Sequence, residues 1–171
     1  SKFSLRTDFI DLDRIEVLRG PQGTLFGQNS TGGTVNVINT APSFDALTGK
    51  VDLTLGDYDL TKARGGINIP LSDTVATRFS WITTDHDGFS ENLVNGQDLD
   101  DTFHTTFRSD WLFDLSDTSS LRLFAQFFEA ENNGAAMKGL DDPTPDPRQL
   151  RQDSASVYEL TSEIVAGIFN S

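Results

Sequence analysis

From Lys50 onward, apolar and polar side chains alternate with a period of two. Val51, Leu53 and Leu55 alternate with Asp52, Thr54 and Gly56. Comparable runs follow over 62–71, 75–82, 103–114, 121–128 and 158–168, giving six in all. A period of two places successive side chains on opposite sides of an extended chain, so each run predicts a β-strand with two unlike faces. No stretch after Lys50 sustains a period of 3.6, so no long helix is expected there. Two shorter strand-like runs come earlier, Ile-Glu-Val-Leu at 15–18 and Thr-Val-Asn-Val-Ile-Asn at 34–39. The connections after Lys50 differ in length: 57–60, 70–74 and 115–120 are short, whereas 86–101 and 131–156 are long. The tetrapeptide Leu-Ser-Asp-Thr fills two of the short ones, at 71–74 and 115–118. Apart from 57–60, which is short, short turns at one end alternate with long loops at the other, as suits strands that run up and down.

Alternation does not say which face is buried. A sandwich buries its apolar face. A membrane barrel turns that face to lipid and lines its interior with polar groups. The polar faces here carry Asp52, Lys62, Arg64, Arg78, Arg108, Asp110, Arg122, Glu159 and Glu163. These charges fit a wet lumen and a solvated sandwich face alike. Phe103, Phe113, Tyr158 and Phe169 stand toward strand ends and fit interfacial girdles or an ordinary core. At this level both architectures remain open.

Composition narrows the function. The 171-residue chain carries a net charge of −13, which disfavours nucleic acid as a partner. With no cysteine it can form neither disulfides nor thiolate metal sites. No apolar run reaches the roughly 20 residues of a membrane helix, a criterion blind to membrane strands. No nucleophile–base–acid constellation is visible, and His86 and His104 lie in different elements. The expectation is therefore no catalytic residue, no metal site and no cofactor. The long connections hold Asp87, Glu91, Asp98, Asp100 and Asp101 in one, and Asp141, Asp142, Asp146 and Asp153 in the other. Neither has the glycine and closing glutamate of a calcium loop, so both read as solvated acidic loops.

Arg14–Pro42 reads RIEVLRGPQGTLFGQNSTGGTVNVINTAP. Its glycines suggest a phosphate cradle, but no Lys follows Gly27, as a Walker loop needs. Gly20, Gly23, Gly27, Gly32 and Gly33 also miss the spacing of a dinucleotide fingerprint. Glycines chosen for positive φ and close backbone approach fit the segment better.

This segment closely resembles the C-terminal part of the plug domain of TonB-dependent outer-membrane receptors. The likeness continues through GKVDLTLGDYDLTKARGGINIPLSDTVATRFSW, DGFSENLVNGQDLDD and FRSDWLFDLSDTSSLRLFAQF, which look like the first barrel strands, an outer loop and the next hairpin. It implies a mainly β fold: the end of an α/β plug domain at 1–42, a linker at 43–49, and at 50–171 about six strands of an antiparallel, up-and-down transmembrane β-barrel. A whole barrel of this family has 22 strands, so the chain is expected to be a fragment. The implied activity is energised uptake of a scarce nutrient, with an iron–siderophore complex as the default. The implied location is the outer membrane of a Gram-negative bacterium. The implied partners are the TonB complex, outer-membrane lipid and lipopolysaccharide, and the nutrient ligand. Glu16 and Arg19 match charged plug positions that lock the plug to the wall, with Arg64, Arg78, Arg108, Asp110 and Arg122 as possible counterparts. Substrate-binding residues are not indicated. The alternatives are a small structural or adhesive outer-membrane barrel and a soluble all-β binding module.

Overall fold

The computed structural model describes residues 9–20, 33–152 and 157–170. Among these residues there is no helix, and the chain builds strands only. In order they are β1 (Leu12–Arg19), β2 (Gly33–Asn39), β3 (Thr48–Leu55), β4 (Thr61–Pro70), β5 (Val75–His86), β6 (Ser90–Asn92), β7 (Gln97–Leu99), β8 (Thr102–Ser116), β9 (Ser119–Asn132), β10 (Gln149–Leu150) and β11 (Tyr158–Asn170). The six long strands after Thr48 form one sheet in the order β3-β4-β5-β8-β9-β11, every neighbour antiparallel. This is the meander that the alternating runs predicted. β1 and β2 form a separate antiparallel hairpin.

The turn chemistry explains the tight connections. In the first Leu-Ser-Asp-Thr copy, Ser72 Oγ accepts from the N–H groups of Thr74 and Val75 at 3.2 and 3.0 Å. In the second, Ser116 Oγ accepts from Thr118 N at 3.4 Å. Such hydroxyl–backbone bonds close turns locally. Both copies lie at the same end of the sheet, where Asp114 N donates to the Thr74 carbonyl at 2.9 Å. The strands run further than the alternation indicated. β5 continues through Thr83–His86 and β9 through Glu129–Asn132, where polar residues on both faces hide the period.

The register decides the question the alternation left open. Asn68, Arg78, Ser80, Thr84, His104, Thr106, Arg108 and Asp110 share one face of β4, β5 and β8, and all except Arg78 are buried outright. The opposite face carries Val51, Leu53, Leu55, Phe79, Trp81, Phe107, Trp111, Leu123 and Phe127. Several of these are widely exposed: Val51 at 68% and Phe107 at 47%. Phe103, Phe113 and Phe169 stand on this outward face and Tyr158 on the other. A sandwich in water would bury the apolar set. Burying the charged set and exposing the apolar one is the polarity of a barrel wall in lipid.

Two features depart from the sequence reading. Glu159 and Glu163 do not share the face of the arginines. The β9–β11 register puts Glu163 beside Phe127 and Glu159 beside Glu131 on the outward side. Ile164, Ala166 and Ile168 then flank Gln126, Phe124 and Arg122, so the inward face turns apolar at this edge. The two long loops also are not merely solvated. β6 pairs with β7 and with β10 in a small sheet that joins them. Fully buried Asn92 ties Gln152 in both directions, donating to its carbonyl at 2.8 Å and accepting from its N–H at 3.1 Å. Asp100 accepts from Ser90 Oγ and Ala136 N, and Asp101 from Asn133 N. The Thr144 hydroxyl, and then the N–H groups of Thr144 and Arg151, hold the Asp142 carboxyl down at about 2. These acids are hydrogen-bond acceptors that stitch loop to loop.

Candidate functional site

The segment leading into β1 is Phe9-Ile10-Asp11, and it meets the polar face of the sheet. Ile10 is buried. Asp11 has φ 47, a left-handed conformation that Asp tolerates better than most residues. The bend frees its carbonyl to accept from Thr40 N at 2.9 Å and Thr40 Oγ1 at 3.1 Å, and Asn39 Nδ2 donates to the Ile10 carbonyl. These bonds close the base of the β1–β2 hairpin.

The same bend aims the Asp11 carboxylate at β5. Arg78 grips it with both sides of its guanidinium, Nη2 lying 2.8 Å from Oδ1 and Nε bonding Oδ2. Ser80 Oγ adds a third bond at 2.6 Å. A bidentate, charge-assisted pair is among the stronger polar contacts, and this one is largely shielded from water. Burial works against the charged carboxyl. The bonds from Arg78 and Ser80, together with the Arg78 charge, outweigh it and hold Asp11 below the usual 3.8. A depressed carboxylate contributes its stability above its unfolded value and loses it as pH falls through the folded one. The contact is therefore expected to persist at neutral pH and to release below about pH 3.8, measurable as acid-dependent protease susceptibility of the hairpin.

Space for this contact comes from β4. A Cβ on Gly66 would stand 3.1 Å from Asp11 Oδ2 and 3.0 Å from Arg78 Nη2. Its neighbour Gly65 faces the other way, and a Cβ there would lie 2.4 Å from the Trp81 ring. The dipeptide gives room to a charged clamp inside and an indole outside.

A second anchor lies directly beside the first, because Asn68 pairs with Arg78 across β4 and β5. The buried Asn68 amide accepts from Ser43 N at 2.8 Å and donates to the carbonyls of Ser43 and Ala46 at 2.9 and 2.8 Å. Both ends of the hairpin are thus fastened to one cross-strand pair. Further along the face, Asp110 (1% exposed) accepts from Arg108 at 3.0 Å and from Arg122 at 2.8 and 2.6 Å. Arg108 also lies over the Phe124 ring, 3.8 Å from its centroid. Among the described residues, no cluster of metal-ligating side chains is found.

Glu16 lies in β1 and bonds within the hairpin, accepting from Arg14 Nε at 2.8 Å and Asn36 Nδ2 at 3.3 Å. Arg19 ends β1 and pairs with Gly33. The structure thus brings Arg78, one of the predicted wall counterparts, to Asp11. Arg64 pairs with Asp52 on the wall itself. Asp11 and Asn68 escaped sequence reasoning, although Asp11 stands between the apolar residues Ile10 and Leu12. Of the glycines, Gly23, Gly27 and Gly32 lie outside the described residues. Gly20 has φ +93 in open space, whereas Gly33 has φ +136 and a Cβ there would stand 2.5 Å from the Leu18 carbonyl. Gly33→Ala is expected to cost about 1–3 kcal/mol, read as a lower thermal midpoint; an unchanged midpoint would contradict the geometry.

No family model matches the chain. It is 40% identical over 85 residues to the ferrioxamine B receptor of Salmonella typhimurium, covering 48% of the chain and 12% of that receptor. It is 28% identical over 94 residues to the metal-pseudopaline receptor of Pseudomonas aeruginosa, covering 54% of the chain and 13% of the receptor. In structure it matches the ferric yersiniabactin uptake receptor of Yersinia pestis with TM-score 0.77 and 20% identity, covering 94% of the chain and 26% of that one. The ferripyoverdine receptor of the Pseudomonas aeruginosa outer membrane matches with TM-score 0.71 and 24% identity, covering 93% and 21%. The chain thus spans about an eighth of the matched curated receptors and about a quarter of the solved ones. In local sequence and in fold, the chain is similar to the TonB-dependent siderophore receptors and carries a portion of their plug-and-barrel architecture.

Proposed function

We propose that the chain is part of an energised outer-membrane receptor that imports a scarce nutrient, a ferric siderophore complex. In this reading residues 1–42 close the plug, 43–49 join it to the wall, and 50–171 begin a lipid-embedded barrel in a Gram-negative envelope. The single observation that carries the reading is the inverted polarity of the sheet, with a separate hairpin clamped to its charged face. A lipid-facing wall needs apolar groups outside, and a filled lumen needs something polar to grip inside. The protein binds and releases its cargo without breaking a bond in it. Work comes from the TonB complex, acting on a plug whose attachment to the wall sets the force needed. Asp11–Arg78 and Asn68–Ser43 are the attachments proposed here, with Glu16 and Arg19 as further lock positions.

The test uses the full-length receptor in an iron-starved strain. Its deletion is expected to abolish uptake of labelled ferric chelate, and removal of TonB to have the same effect. Uptake that survives both deletions would refute the receptor reading. So would a purified 1–171 chain that stays a monodisperse monomer in water without detergent.

A further inference from the structure

The chain holds two Asn-Gly steps, Asn95-Gly96 and Asn133-Gly134. Both glycines take positive φ, 70 and 85. Such a step can react with itself. The glycine amide nitrogen, with no Cβ beside it, attacks the carboxamide carbon of the preceding asparagine. The outcome depends on what holds the two groups, and the fold holds the two steps differently.

Asn95-Gly96 lies in the exposed turn between β6 and β7. The Asn95 carboxamide is folded back over this turn. Its Oδ1 accepts from Gln97 N at 3.0 Å, and its Nδ2 donates to Gln97 Oε1 at 3.2 Å. The first bond reaches the oxygen on which negative charge would develop during attack at Cγ, as an oxyanion donor does. The second holds the amide that would leave. A carboxamide pinned at both ends stays close to the peptide that follows it. Gly96 N is restrained by a backbone bond to the Asn92 carbonyl at 2.8 Å, and at an exposed turn such a bond opens at little cost. The space where a Gly96 Cβ would stand is open, so water and base reach the step.

Asn133-Gly134 is half-buried and fastened at three points. Gly134 N donates to Asn132 Oδ1 at 2.9 Å, Asn133 N to Asp101 Oδ1 at 2.7 Å, and the Gly134 carbonyl accepts from Asp100 N at 2.9 Å. The Asp101 carboxylate also disfavours ionisation of the amide next to the one it binds.

We propose that Asn95 is a site of self-modification, converted by its own backbone into aspartate and isoaspartate, while the fold protects Asn133. The Gly96 N–H gives its proton to solvent base, and its nitrogen bonds to Asn95 Cγ. The Cγ–Nδ2 bond then breaks, and the amide nitrogen leaves as ammonia with a proton from water. Water opens the remaining succinimide at either carbonyl, giving aspartate or isoaspartate. In the isoaspartate product the backbone runs through the former side chain, which adds a carbon to the turn. Asn92 Oδ1, at the foot of that turn, accepts from Val94 N and Gln152 N at 3.1 Å each. A lengthened turn therefore loosens the stitch between the two long loops. The reaction is independent of what the protein carries.

The detergent-solubilised full-length protein is incubated in mildly alkaline buffer, with and without denaturant, and mapped by peptide mass spectrometry. In the folded protein Asn95 is expected to convert at least about tenfold faster than Asn133, where further hydrogen bonds must open first. In denaturant the two rates should converge. Equal or reversed rates in the folded protein, an Asn95 that reacts only in denaturant, or a gap that persists there would each overturn the site. Limited proteolysis of the same samples reads the loops. Cleavage within 133–151 should rise with the isoaspartate fraction and stay flat in Asn95→Gln, whose larger ring closes more slowly. Equal cleavage in both would overturn the loosening.

Discussion

Asp110→Ala is expected to destabilise the sheet by about 3–5 kcal/mol, the largest effect of any single change at the polar face. The reason is arithmetic of charge. One buried carboxylate serves two guanidiniums, Arg108 on its own strand and Arg122 on the next. Removing it leaves two cations facing each other in a site with little access to water. Truncating a shared acid strands both of its partners, which costs more than a simple pair is worth. Asp110→Asn keeps the shape and one acceptor oxygen and should fall between. The measurement is the denaturant midpoint of the detergent-solubilised full-length protein. An unshifted midpoint would show that the arginines find other partners.

Asp11→Ala follows as the second large effect, and it acts on attachment rather than on the wall. It removes the bidentate bond to Arg78 and the bond from Ser80, worth about 1.5–3 kcal/mol for a shielded charged contact. The hairpin should then detach more readily while the barrel assembles normally. In planar bilayers the full-length variant is expected to conduct more than the parent, and cells carrying it to admit bulkier solutes. The charge exchange Asp11→Arg with Arg78→Asp should recover part of the loss. Gly66→Leu should mimic it, since that side chain would displace the clamp. Unaltered conductance in both Asp11→Ala and Gly66→Leu would place retention of the hairpin elsewhere.

The strands were legible because each carries its two faces in strict alternation. Val51–Leu55 and Phe103–Phe113 needed no tertiary information to be placed. Their polarity was not legible, since inward and outward differ only in what surrounds them. It took the burial of Arg108 and Asp110 beside the exposure of Phe107 to separate them. The loop sheet was hidden for another reason: β6, β7 and β10 are two or three residues long, too short to show a period. The clamp was hidden by distance. Asp11 and Arg78 are 67 residues apart, and neither stands in a recognisable motif. Glu16 drew notice through its motif, yet its bonds in the structure are to Arg14 and Asn36 on its own hairpin.

The shared acid also bears on how such a wall is put together. Asp110 reaches Arg122 only when β8 and β9 meet in the observed register. A slip of one residue would turn every side chain of β9 to the opposite side. Arg122 would then face hydrocarbon, at about 2–4 kcal/mol near the bilayer midplane, and Leu121 and Leu123 would face the charged interior. Correct pairing satisfies three charges at once, whereas a slipped pairing takes Arg122 from Asp110 and leaves only the Arg108 contact within β8. The triad therefore favours the observed alignment of β8 with β9 over a slipped one.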